Sequence, residues 1–202
     1  MILCHQHRFV YVSTPKAGTH TMFRYLSERY GGHRIGAYHR RHVPLGHLDY
    51  FVFAVVRSPY SRAVSAWYHL LHREPYRSLW RPTVRRDDFR GFMEWMSRGH
   101  WQRPGMRGNV VMCPQDEWIA GINRAPDAIL RIENINQEFA QLPFATGPQS
   151  IPDDFSYSQV YGDWRDMIDA EMAALVRQWA GSDFARFGYE IDEEKAKVNE
   201  LC

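Results

Sequence analysis

The sequence predicts an α/β fold, a three-layer sandwich with a central, mostly parallel sheet, and three observations lead to it. Residues 9–12 are β-prone, and residues 50–56 form an almost continuous apolar run. Each is followed, after a short loop, by a stretch with helical periodicity, and a third β-prone stretch lies at residues 128–132. Alternating strands and helices indicate a parallel sheet covered by helices. A continuous apolar run is typical of a strand buried on both faces.

The spacing of apolar residues and the position of turn-forming residues set the bounds of the helices. The first helix is expected over residues 19–30, because Gly31 and Gly32 follow the last apolar residue of the pattern. Pro59 suits the first turn of a second helix over residues 60–72. Further helices are expected over residues 87–97, 134–142 and 166–180, and residues 184–189 are expected to pack back on the core.

The chain length suits a single domain over residues 1–202. Within it, the arginine-rich and proline-interrupted residues 73–108 are expected to elaborate the core, and residues 192–202 to form a charged tail. No stretch approaches the roughly 20 apolar residues of a membrane span, and the first residues do not resemble a signal peptide. The cysteines, at 4, 113 and 202, are odd in number, which argues against a disulfide framework. These features favour a cytoplasmic protein.

The net charge of +2 conceals an uneven distribution along the chain. Residues 1–110 contain 18 Lys and Arg but 6 Asp and Glu, whereas residues 111–202 contain 7 and 17. A basic first half indicates an anionic ligand. The alternative is that the two halves neutralise each other across the fold.

The loop after the first strand has the chemistry of a phosphate cradle. Gly18 permits a tight turn close to a ligand, and the amides that open the following helix favour an anion. Lys16 adds a positive charge, and Thr19 and Thr21 add hydroxyl donors. The loop is P-loop-like, but Lys16 precedes the glycine, so the spacing is not that of the nucleotide triphosphate motif. An ordinary turn with an exposed lysine is the alternative.

The loop after the strand at residues 50–56 is also suited to an anion. Arg57 lies at the end of that strand, where its planar guanidinium can donate two hydrogen bonds to a phosphate. Ser65 follows about two helical turns later and can face the same side as the helix start. Taken alone, a carboxylate partner for Arg57 and a purely helical Ser65 are simpler. Because ligands of such sheets bind at the carboxyl ends of strands, the two loops together favour a ligand site.

Two stretches together resemble the sulfotransferases that use 3'-phosphoadenosine-5'-phosphosulfate (PAPS). Residues 15–19, Pro-Lys-Ala-Gly-Thr, resemble the 5'-phosphosulfate loop of that family. Residues 53–68 resemble its 3'-phosphate motif, an arginine and a serine separated by seven residues. The form of the motif that contains Arg62 is most similar to the branch of the family that includes carbohydrate sulfotransferases. Weaker resemblances follow in the expected order at residues 113–115, 129–134 and 183–189.

The resemblance implies transfer of a sulfuryl group from PAPS to an acceptor hydroxyl, on a carbohydrate or small molecule, without a metal. It implies that Lys16 contacts the sulfate and the bridging oxygen, and that Arg57 and Ser65 hold the 3'-phosphate. His20 departs from the family, which more often has a small hydroxyl residue there, so it either donates to the phosphosulfate or changes the loop sterically. The 5'-phosphate would be held by Ala17, Gly18, Thr19, His20 and Thr21.

Sulfuryl transfer also needs a base for the acceptor proton, and histidine suits that role. Related sulfotransferases are similar to this chain in having a catalytic histidine shortly before the 3'-phosphate strand. In residues 39–48 the resemblance implies His42 as the base and His39 as the second candidate, and the alternative is a surface histidine in a basic loop. No acidic residue lies between Glu28 and Asp49 to serve instead.

The acceptor and the oligomeric state are not identified by the sequence. Arg40, Arg41 and the arginines of residues 73–107 would suit an anionic glycan, or they form a solvated basic face. No nucleic acid or membrane partner is expected.

Three other functions stay open. A P-loop kinase-like phosphotransferase would share the anion loop, but should show the Walker spacing and a magnesium-binding carboxylate. A nucleic-acid-binding module would explain the basic half but not the paired loops, and a non-catalytic PAPS binder would bind the nucleotide without turnover. A metal site at Cys4, His5 and His7 is disfavoured, because ligands so close together on one strand cannot easily converge.

Overall fold

The computed structural model describes residues 1–72, 88–102, 110–152 and 162–191. The chain forms two compact units, which we call the sheet unit (Met1–Arg57 with Gln115–Ser156) and the helical unit (Ser58–Pro114 with Tyr157–Cys202). Each unit has its own core of buried apolar side chains. The expectation of one domain over the whole chain stays a prediction.

The sheet unit contains a five-stranded mixed sheet. Its strands are β1 (Ile2–Cys4), β2 (Phe9–Val12), β3 (His33–Arg34), β4 (Phe51–Val56) and β5 (Ala128–Arg131). Their order is β3-β1-β2-β4-β5, with β2, β4 and β5 parallel and β1 antiparallel to both of its neighbours. The predicted class, an α/β fold with a mostly parallel sheet flanked by helices, is therefore confirmed.

The α-helices of the described residues are divided between the units. They are α1 (Thr19–Tyr30), α2 (Pro59–His72), α3 (Phe89–Ser97), α4 (Gln115–Ala120), α5 (Ile135–Phe139) and α6 (Ala170–Phe187). Helices α1, α4 and α5 belong to the sheet unit, and α2, α3 and α6 to the helical unit.

The core of the sheet unit is built on its parallel strands. Every residue of β2 is buried, as is all of β4 after its first residue. The rings of Phe9 and Phe144 stack at 4.3 Å, and the edge of Phe139 meets Phe53 at 5.9 Å. Burial of these large rings removes most of their apolar surface from water and is the main force that holds the strands in place.

The helical unit is organised around a buried charge. The Arg62 guanidinium, which is fully buried, donates to the carbonyl oxygens of Val111 at 3.2 Å and Cys113 at 2.6 Å and lies 5.2 Å from the Trp179 ring centroid. The Trp179 indole in turn donates to the Met112 carbonyl at 3.0 Å. These hydrogen bonds tie α2 to residues 111–113 of its own unit and offset part of the cost of burying the charge.

Most predicted elements lie where the sequence placed them. Strand β2 and helix α1 have the predicted bounds, and β4 and α2 differ from them by one residue. Helix α5 is shorter than expected, since it begins one residue later, after a 3-10 turn over residues 132–134, and ends at Phe139. Helix α6 runs from 170 to 187 rather than ending at Ala180, where a non-helical φ of −135° marks a kink. Strands β1 and β3 were not predicted.

The arginine-rich stretch is described in part. Helix α3 begins after Asp88, whose carboxylate accepts a hydrogen bond from the Gly91 amide at 2.8 Å. Residues 73–87 and 103–109 lie outside the described residues, as does the charged tail from residue 192. Within the described part of the chain, no helix has the length and apolar character needed to span a membrane.

Candidate active site

The two anion loops begin at the same edge of the sheet. Strands β2 and β4 pair in parallel, with Val12 beside Ala54, and β4 pairs in parallel with β5, with Val56 beside Arg131. The chain therefore leaves the carboxyl end of β2 and the carboxyl end of β4 on one side of the unit. This is the arrangement that the sequence predicted for the two loops, and it is where parallel sheets bind ligands.

The loop after β2 has an unusual backbone. Lys16 has a φ of 68° and Gly18 a φ of 71°, and Arg8 is the other non-glycine residue with positive φ among the described residues. A lysine pays a steric cost in this left-handed conformation, which is common at ligand-binding loops. Helix α1 follows Gly18 directly, without a side chain capping its first turn and without an acidic residue there. The helix start is therefore electrostatically suited to an anion.

The hydroxyl groups of this loop are mostly directed inward. Thr19 is 6% exposed and its hydroxyl donates to the Thr14 carbonyl at 3.2 Å, which also accepts the Ala17 amide at 3.3 Å. Thr21 is buried as well. The Thr14 hydroxyl is buried without a hydrogen-bond partner among the described residues. Sequence reasoning missed Thr14, and a buried hydroxyl that lacks a partner beside an anion loop fits a phosphate-bearing ligand.

His20, the departure from the family pattern, packs against an aromatic stack. It is exposed, and its ring lies 5.1 Å from that of Tyr38. Tyr38 stacks on Phe23 at 5.2 Å with an interplanar angle of 13°, and the Arg34 guanidinium lies 4.7 Å from the Tyr38 centroid. His20 thus joins the anion loop to the segment that carries the candidate bases.

Arg57 follows β4 directly, and its backbone is held by a side chain. The Arg57 amide donates to Gln115 Oε1 at 2.9 Å, and Gln115 Nε2 donates to the Arg57 carbonyl at 2.8 Å. Ser65 lies on α2 in the helical unit and is buried. The sheet edge therefore carries residues 16–21 and Arg57, and the joint use of Arg57 and Ser65 on one phosphate stays a prediction.

The two candidate bases differ in their surroundings. The pKa of His39 is lowered to about 4, mainly by burial and also by the nearby charges of the N-terminus, His20 and Lys16, while a hydrogen bond with the Ser13 backbone opposes the shift. The Nδ1 atom of His39 is buried without a partner among the described residues. His42 is exposed, and the next residue, Val43, has its amide and carbonyl held by the Asn123 side chain at 2.7 and 3.0 Å.

Three arginines lie in the same segment as the candidate bases, between residues 34 and 42. Arg34, Arg40 and Arg41 form no ion pair in the part of the chain that the structure describes. The Arg41 guanidinium lies 4.7 Å from the Trp118 ring centroid, as Arg34 does from Tyr38. Stacking orients these guanidinium groups without neutralising them, which leaves a concentrated positive field beside the candidate bases.

Two of the three residues considered as metal ligands, Cys4 and His7, make hydrogen bonds within the protein. The Cys4 thiol donates to the Tyr30 carbonyl at 3.1 Å and accepts the His7 amide at 3.4 Å. Within residues 1–72, 88–102, 110–152 and 162–191, no group of three His, Cys, Asp or Glu residues is placed to hold a metal ion.

Comparison with known families agrees with this geometry. Residues 1–147 match the model of the sulfotransferase family, and this stretch includes both anion loops and the histidine segment. The chain therefore belongs to the sulfotransferase family. It is an enzyme of the PAPS-dependent class, and the match does not resolve the branch or reach residues 183–189. Among curated proteins and among solved structures, no significant match was found.

We expect His39 to make the folded state less stable as the pH falls. Its pKa is about 4 in the folded protein and has the ordinary value of 6.5 in an unfolded chain. Between these values the unfolded chain binds a proton that the folded protein does not, so the free energy of unfolding falls from pH 7 to pH 4, by about 3 kcal/mol. Urea denaturation at several pH values should show a smaller loss for His39→Gln than for wild type. Equal pH dependence of the two proteins would contradict this expectation.

Proposed function

We propose that the protein transfers the sulfuryl group of PAPS to a hydroxyl of an anionic acceptor, a glycan or small molecule that carries carboxylate or sulfate groups. The observation that carries this proposal is the segment from Arg34 to His42, which holds both candidate bases and three arginines that form no ion pair with any described residue. A site built to hold only a neutral sugar would not need this concentration of positive charge.

The residues at the carboxyl ends of β2 and β4 suit PAPS, the sulfuryl donor. When bound, PAPS supplies a sulfuryl group attached to a phosphate leaving group. Lys16 would neutralise the charge that develops on the bridging oxygen, which lowers the barrier as other preorganised charges do. The amides of residues 17–21 would hold the 5'-phosphate at the helix start, and Arg57 would hold the 3'-phosphate.

We assign the base to His42. A base works best when its pKa is near the working pH, and burial makes His39 a weak base in the absence of the donor. His42 is exposed and can meet an acceptor, and the Asn123 contacts with Val43 fix the backbone next to it. As the acceptor oxygen bonds to sulfur and the bridging oxygen leaves, the acceptor proton would pass to His42.

The nucleotide site is tested by calorimetric titration with 3'-phosphoadenosine-5'-phosphate (PAP), the product nucleotide. We expect micromolar binding without magnesium, much weaker binding of ATP, and a loss of about 10²-fold in Arg57→Ala because two charge-assisted hydrogen bonds disappear. Arg131→Ala is the matched control. Arg131 is the last residue of β5, at the same end of the sheet as Arg57, but its guanidinium pairs with the Glu138 carboxylate at 2.9 Å. A preference for ATP with magnesium would instead support a kinase-like phosphotransferase.

The base assignment is tested by turnover. His42→Gln should reduce kcat by about 10²- to 10⁴-fold, the usual contribution of a general base, while PAP affinity stays within about twofold. His39→Gln should retain most of the kcat. PAP formation from PAPS in the presence of an acceptor measures both, and the reverse pattern would transfer the role to His39.

The acceptor class is tested with matched acceptors that differ in an anionic group. Arg40→Gln and Arg41→Gln should raise KM for a sulfated or carboxylated acceptor by about fivefold to tenfold and leave KM for its neutral counterpart unchanged. Arg29→Gln, which removes an equal charge from the last turn of α1, is the control. Equal effects on charged and neutral acceptors would rule out direct recognition of the anion.

A further inference from the structure

The contact between Gln115 and Arg57 has a specific geometry. One side-chain amide accepts the N–H and donates to the C=O of a single residue, at 2.9 and 2.8 Å. The orientation of the amide is fixed by chemistry, because a backbone N–H only donates and a carbonyl only accepts. Gln115 is completely buried, and hydrogen bonds made in the interior cost more to lose than those made at the surface.

The contact lies where the sheet ends. The parallel ladder between β4 and β5 closes with Val56 beside Arg131, so Arg57 is the first residue beyond it. The Gln115 amide takes the place of a neighbouring strand at this position, since it meets the N–H and C=O as a paired strand would. It thereby fixes the backbone from which the Arg57 side chain extends.

We propose that Gln115 is a positioning residue for Arg57 and sets the preference of the protein for nucleotides that bear a 3'-phosphate. This inference rests on the proposed role of Arg57. Gln115 holds the backbone of Arg57 through these two hydrogen bonds, so its effect reaches the ligand through the direction of the guanidinium. Bidentate recognition of a phosphate depends on that direction, and a misplacement of about 1 Å can cost about 10²-fold in a well-organised site.

The chain supplies a matched control for this contact. In the same unit, Asn136 Oδ1 accepts the Ile151 amide at 2.8 Å and Asn136 Nδ2 donates to the Ile151 carbonyl at 3.4 Å. This is the same pair of hydrogen bonds, and it holds a residue with no assigned role in binding. Asn136→Ala therefore measures what the loss of such a contact does to the fold alone.

The experiment compares the affinities for PAP and for adenosine 5'-monophosphate, which lacks the 3'-phosphate, by calorimetry. Gln115→Met keeps the volume of the buried side chain and removes both hydrogen bonds. We expect about a tenfold loss in PAP affinity and less than about a twofold change for the monophosphate, so the selectivity falls about tenfold. Asn136→Ala should leave the selectivity at the wild-type value.

A double-mutant cycle separates positioning from a general loss of structure. In the Arg57→Ala background, Gln115→Met should change PAP affinity by less than about twofold, because the residue that it positions is already gone. Additive losses in the cycle, or equal losses for both nucleotides, would overturn the proposal. If wild type itself does not bind PAP, the proposed function fails. Normal binding with unchanged selectivity in Gln115→Met refutes the positioning role alone.

Discussion

The parallel pairing of β2 with β4 is the constraint on which the candidate site depends. Because both strands run in the same direction, the loops that follow them emerge at one edge, and an antiparallel pair would have separated them by the length of the sheet. The register of this pair places Phe9 beside Phe51 and Val12 beside Ala54. The left-handed Lys16 loop and the held backbone of Arg57 therefore lie at the same end of the sheet.

The elements that the sequence predicted well are those with strong local signals. Strand β4 is a continuous apolar run, and α1 ends where Gly31 adopts the left-handed conformation that closes a helix. Strand β3 has two exposed residues, His33 and Arg34, so it has no apolar pattern and exists only because β1 lies beside it. Pairing of this kind depends on the tertiary fold, which local sequence periodicity does not contain.

In the candidate site, too, the residues with local sequence motifs were predicted, and those that act through distant contacts were not. The residues at 16–21 and Arg57 carry motifs, and the sequence placed both at strand ends where the structure has them. Gln115 and Asn123 were missed, because their effect consists of contacts with residues about 58 and 80 positions away in the chain. A buried glutamine at the start of a short helix is a weak local signal. The different burial of His39 and His42 likewise depends on packing that spacing alone does not give.

The outer edge of the sheet at β3 also has a consequence for self-association. An edge strand exposes unpaired backbone groups, to which a second copy of the same chain can add its own strand. Here that edge is two residues long and bears the permanent positive charge of Arg34. Two such edges would repel each other and share too few hydrogen bonds to compensate. A short, charged edge of this kind is therefore a poor template for growth of the sheet from one molecule into the next.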